Sequence, residues 1–339
     1  MNARTLLFLA ILLPISRLLA GWDEVTALDV PITQLSADPA KARDAMSKHI
    51  RSQITANEAF LKASPNDPYA WESRVRLASA QGRLASLSAD KTGVQQAIAT
   101  LKELEHQVPD DSLKADAMFR RISLQWQDLG DTPDVRRDNA VANARNFAAA
   151  FPKDRRAARL LAEAAALCNT HPELKSRLLD QAMSLCSEES LLQRLRDDKK
   201  QLDQLGKPVD LAFTATDGTR VDLSKERGRV TALIFWSAES APSLVWMGYF
   251  VRFAAECPSL RVVTVSLDRN RGDLDAAMRS LGITWPTFFD GKGWQNGFAR
   301  SFGINTLPTL WLMDRNGCLA YLNARDSYEH RIKELLLKK

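Results

Sequence analysis

Val230 to Trp236 is a continuous run of β-branched, aliphatic and aromatic residues, and it constrains the chain more than any other stretch. Such a run suits a strand covered on both faces, which belongs at the centre of a sheet. Ser240 then offers a helix cap, and Pro242 falls in that helix's first turn, where its missing N–H costs nothing. Strand, tight loop and helix therefore follow in immediate succession. A thiol at position 240 would feel the positive end of the helix and ionise more readily. The side chain present is a hydroxyl.

The surrounding sequence extends this pattern. Leu211–Thr216 and Val221–Leu223 flank Asp217-Gly218 and read as a hairpin. Arg261–Asp268 reads as a strand, and Asp273–Leu281 as a helix capped by Asp268 or by Gly272-Asp273. Phe288-Phe289 reads as a short strand and Trp294–Phe302 as a helix. Thr309–Met313 and Cys318–Leu322 flank the turn Asp314–Gly317, and Tyr328, Ile332 and Leu335 form the stripe of a closing helix. Alternation of this kind produces a sheet covered by helices.

Phe235-Trp236-Ser237-Ala238-Glu239-Ser240-Ala241-Pro242-Ser243 resembles the active-site segment of TlpA/ResA-type redoxins, members of the thioredoxin-like superfamily. The aromatic pair and the proline are kept, while serines stand at both cysteine positions of the CxxC motif. Trp285–Trp294 and Ala299–Thr309 resemble the second half of the same domain. The resemblance implies that Leu307–Pro308 is a cis peptide beside the active-site loop. It also implies a groove of Trp236, Ala241, Pro242, Leu307 and Pro308 where relatives pair with an extended substrate. Packing needs alone are an equal reason for those residues.

Thiol–disulfide exchange needs a thiolate to attack and a second thiol to resolve the mixed disulfide. Ser240 and Ser243 supply neither, and a helix terminus contributes ~2 kcal/mol at most, which leaves an alcohol protonated at neutral pH. Ile234 occupies the position where thioredoxins bury an aspartate, so no base is expected beneath the site. Cys257 falls at the far end of the helix that Ser240 begins, ~24 Å away. Cys168 and Cys186 lie too far apart for a bridge within one helical hairpin, and lone thiols are the simpler reading for all four cysteines. No catalytic residue, cofactor or metal ligand is therefore expected.

Residues 39–205 read as helical throughout. Pro65, Pro109 and Pro152 each end a helix and are followed by an acidic cap, at intervals of 44 and 43 residues. A fixed period of this size indicates stacked helix pairs and resembles tetratricopeptide-type repeats with longer helices. Such an array serves either as a protein-binding surface or as a spacer.

Arg4, the apolar run Leu6–Leu13 and Leu18-Leu19-Ala20 have the layout of a secretory leader; Pro14 and Arg17 argue against an uncleaved anchor. The net charge of +5 is spread among 46 basic and 41 acidic residues, which leaves no stripe for nucleic acid. The expected organisation is a leader over 1–20, an extended lead over 21–38, a helical repeat domain over 39–205 and a thioredoxin-like domain over 206–339 with a central mixed sheet flanked by helices. The expected function is an exported, periplasmic redoxin without redox turnover that binds a protein or extended peptide, with no membrane span after leader removal. The alternative is a thiol–disulfide oxidoreductase using a non-standard cysteine.

Overall fold

The computed structural model describes residues 15–30, 36, 38–127 and 132–338. Residues 1–14 of the expected leader lie outside this range. The chain divides into two compact units, Met1–Ala157 and Ala158–Lys339.

The first unit contains α1 (Ile15–Ala27), α2 (Pro39–Ala63), α3 (Ala70–Leu87), α4 (Lys91–Gln107), α5 (Asp111–Gln127), α6 (Pro133–Ala150) and the start of α7 (Arg155–Ala166). The 44- and 43-residue interval has a structural counterpart at the end of every second helix. The N–H groups of Ser64, Val108 and Phe151 donate to the carbonyls of Phe60, Leu104 and Phe147, all three of which are buried. Proline then stops the helix, and Asp67, Asp110 and Asp154 each accept a backbone N–H two residues on, opening the next one. Val75, Ala97, Leu101, Ala117 and Leu124 fill the core between α3, α4 and α5.

Residues 21–27 correct one expectation, being the last turns of α1 and not an extended lead. Trp22 stacks on Tyr69 with ring centroids 4.7 Å apart and packs against Phe60 at 5.2 Å, while Val25 is buried. The half-buried ring of Trp22 and the buried Val25 outweigh the lack of cap signals in this segment, since together they contribute a few kcal/mol.

The second unit continues through α8 (Pro172–Leu185) and α9 (Glu189–Leu202) to β1 (Ala212–Thr214), β2 (Arg220–Asp222) and β3 (Thr231–Trp236). It then runs through α10 (Ala241–Ala255), β4 (Arg261–Ser266), α11 (Arg271–Leu281), β5 (Thr287–Phe288), α12 (Gly297–Phe302), β6 (Thr309–Met313), β7 (Leu319–Tyr321) and α13 (Tyr328–Leu337). The main sheet has the order β5-β4-β3-β6-β7; β3 is parallel to β4 and antiparallel to β6. This is a thioredoxin-like arrangement, a mixed sheet with β3 at its centre and every residue of β3 buried.

Strand alternation splits the core into two layers. Leu233 and Phe235 pack with Val263, Val265, Trp311, Phe213 and Phe302 on the face covered by α12 and the β1–β2 hairpin. Ala232, Ile234 and Trp236 pack with Met247, Phe250, Leu274 and Ile332 on the face covered by α10, α11 and α13. Two boundaries differ from expectation. Asn270, not Asp268, caps α11, and the segment expected as one helix over Trp294–Phe302 is a single tight turn followed by α12, which Asn296 caps.

The connector after α9 also belongs to the sheet. Gly206 N donates to Leu319 O, Leu319 N to Lys207 O and Val209 N to Gly317 O, which zips residues 206–209 along the outer side of β7.

Candidate functional site

The β3–α10 loop carries the two serines. Ser240 caps α10, its Oγ accepting the Ser243 N–H at 3.4 Å, and Pro242 sits in the first turn. Pro258 stands three residues beyond the last helical residue and prevents continuation. Ser243 is fully buried, and its Oγ has no hydrogen-bond partner among the described residues. A desolvated hydroxyl without a partner costs about 1–3 kcal/mol, whereas a thiol behaves as a small hydrophobe. Ser243→Ala is accordingly expected to leave stability unchanged or to raise it by about 1 kcal/mol in thermal unfolding, because no hydrogen bond to protein is lost.

A carboxyl group does lie beneath this loop, contrary to the reading from Ile234. Asp268, two residues beyond the end of β4, is 0% exposed. Its Oδ1 accepts the Ser237 hydroxyl at 2.6 Å and the Glu239 N–H at 3.3 Å, and its Oδ2 accepts the Ser266 hydroxyl at 2.7 Å. Parallel pairing explains the meeting: Trp236 is level with Ser266, so the residues that follow each strand leave the sheet side by side. Burying a carboxyl is costly unless its oxygens are satisfied, and three donors converge on it here. The Ser266-Leu267-Asp268 triplet that closes an apolar strand is the available signal, but in the sequence it is indistinguishable from a helix cap.

The third component is Leu307–Pro308, which is a cis peptide. Thr309 is level with Phe235, so Pro308 reaches the end of the sheet where the serine loop emerges. Thr309 Oγ1 donates to Thr306 O at 2.7 Å and closes the turn before β6. The segment is held from below by α9. Gln201 Nε2 donates to Gly303 O at 2.7 Å, Lys200 Nζ to Arg300 O at 2.9 Å and Asn305 Nδ2 to Asp198 Oδ1 at 2.8 Å.

Of the five groove residues, the structure brings Ala241, Pro242 and Leu307 to the surface at this end of the sheet, Ala241 and Pro242 exposed and Leu307 half-buried. Pro308 is buried beside them. Trp236 is not a groove residue: it is fully buried in the layer beneath α10, because even-numbered residues of β3 face that way. The cysteines lie elsewhere. Cys257 follows α10 at its far end, where burial pushes its thiol up, and Cys318 precedes β7 at the end of the sheet remote from the serine loop. No cluster that could hold a metal ion occurs among the described residues.

Residues 201–336 match the redoxin family. Solved structures similar to the chain include a provisionally assigned thiol:disulfide interchange protein DsbE from Chlorobium tepidum, 28% identical, covering 40% of this chain and 98% of that one with a TM-score of 0.34. A thiol-disulfide oxidoreductase from Bacteroides fragilis is 22% identical over 37% of this chain and 96% of its own, TM-score 0.34. A secreted disulfide oxidoreductase from Mycobacterium tuberculosis, homologous to E. coli DsbE, is 15% identical over 37% and 96%, TM-score 0.34. No curated protein matches the chain.

Proposed function

We propose, from the premise that residues 201–336 are a redoxin domain of thioredoxin-like fold, that this chain is exported to the periplasm and binds a protein or extended peptide there without exchanging thiols. One observation carries the reading: both redox positions hold hydroxyls, in a loop that keeps its helix cap and its neighbouring cis proline. Ser240 spends its oxygen on the helix cap, and Ser243 has no acceptor for its proton among the described residues. Neither forms a nucleophile of the kind exchange requires. The apolar rim of Ala241, Pro242 and Leu307, with the backbone before the cis proline, offers contacts that do not depend on sulfur. Export rests on the leader-like residues 1–20.

The test is insulin reduction driven by dithiothreitol. The wild-type chain is expected to match its Ser240→Ala control, whereas the double substitution Ser240→Cys and Ser243→Cys is expected to turn over. The helix terminus favours the thiolate at position 240, and the buried pocket at 243 accepts sulfur. Turnover by the wild-type chain above its control ends the redox-inactive reading. For binding, a protein recovered with the wild-type chain from the envelope fraction should be lost with Leu307→Asp; retention removes the groove from the account.

A further inference from the structure

The outer face of α10 is apolar where a surface helix is ordinarily polar. Val245 and Tyr249, one turn apart, are 63% and 57% exposed, and Ala241 and Pro242 continue the stripe to the helix start. Two charges bracket it. Arg252 is exposed at the far end, its Nε donating to Gly248 O at 3.1 Å and its guanidinium lying 5.4 Å from the Tyr249 ring centroid. Glu239 is exposed just before the near end and, among the described residues, accepts the Arg269 N–H alone, at 3.4 Å. Neither forms an ion pair among the described residues.

We propose that this face is where the chain pairs with a second copy of itself, the two α10 helices crossing antiparallel about a two-fold axis. A two-fold interface must be self-complementary, each surface feature meeting its counterpart. The stripe satisfies that requirement. Arg252 lies three residues after Tyr249, and Glu239 lies three residues before Pro242. The register that sets Arg252 against Glu239 of the second copy therefore sets Tyr249 against Pro242 and places the axis between Val245 and Trp246. Both unpaired charges then find partners twice over, and the apolar stripe is covered along its length. A foreign partner would have to supply both complementary charges at the same separation, whereas the chain already carries them. The second copy also delivers a guanidinium to Glu239, beside the serine loop, so dimerisation and occupation of the Pro242 rim exclude one another. With only a few side chains per copy, the contact is smaller than the ~800 Å² per partner of a standard interface and is expected to be weak and salt-sensitive.

Sedimentation velocity on the full chain, over about 5 to 500 µM at low and high salt, tests this. A reversible monomer–dimer equilibrium is expected, weaker in high salt. Arg252→Glu and Glu239→Arg singly should raise the dissociation constant about tenfold or more, and the two together should restore it to within about threefold. Tyr249→Asp should abolish the dimer. These side chains are exposed, so circular dichroism should show the fold retained in each variant. A chain monomeric throughout, a dimer indifferent to Tyr249→Asp, or a double charge exchange that fails to restore association overturns the proposal. Failure of peptide binding at the groove leaves these sedimentation results untouched, so the two readings are separable.

Discussion

Gly303→Ala is expected to destabilise the second unit by about 3 kcal/mol, lowering its calorimetric transition by about 6–12 °C. Gly303 ends α12 with φ +70°, where any side chain is strained. It also lies against α9: a methyl group there would stand 2.6 Å from Asp197 O and 3.1 Å from its Cα. Backbone atoms cannot rotate aside as a flexible side chain does, so α9 must move. Movement breaks the bonds from Gln201 to Gly303 O and from Lys200 to Arg300 O. Gly317→Ala is the control, since Gly317 has φ +78° with nothing within 4 Å of the added methyl, and it should cost only about 1 kcal/mol. If the two substitutions shift the transition equally, close packing of α9 is not what constrains position 303.

Asp268→Ala should cost a similar amount, about 3 kcal/mol, because it strands the buried hydroxyls of Ser237 and Ser266 and takes one of two acceptors from the Glu239 N–H, which also donates to Ser237 Oγ at 3.1 Å. Asp268→Asn keeps one acceptor but points an amino group at donors, and should fall between Asp268→Ala and wild type. Ser237→Ala, which removes one of the donors, should cost about 1 kcal/mol. The distinguishing measurement is hydrogen exchange at the Glu239 amide: its other acceptor, Ser237 Oγ, is held in place by the bond to Asp268 Oδ1, so protection should fall in Asp268→Ala and fall less in Asp268→Asn. Unchanged protection with a shift below about 1 kcal/mol would mean that the carboxyl does not anchor the loop.

The strand, loop and helix around Ser240 were legible because their signals are local: an apolar run, a capping serine and a proline at the right offset. The β1–β2 hairpin and the β6–β7 pair were legible for the same reason, Asp217-Gly218 and Asp314–Gly317 marking their turns. Trp236 illustrates a conflict between two inferences. The apolar run requires both faces of β3 to be covered, which buries Trp236, whereas the family resemblance suggests a groove residue; the packing requirement prevailed. In the sequence Asp268 reads only as a helix cap, because capping and buttressing share one local pattern, and the deciding fact is the register of β3 on β4. The grip of α9 on Gly303 was not legible at all. About one hundred residues separate Gln201 from its acceptor, and no local periodicity encodes a contact at that distance.

The strap formed by residues 206–209 has a consequence for how this sheet meets other chains. A terminal strand with unsatisfied N–H and C=O groups is a template for addition of foreign strands. Here the connector already fills that role along β7, and β5 at the opposite margin is only two residues long. Neither border of the main sheet therefore offers a length of free backbone on which an amyloid-like ladder could grow.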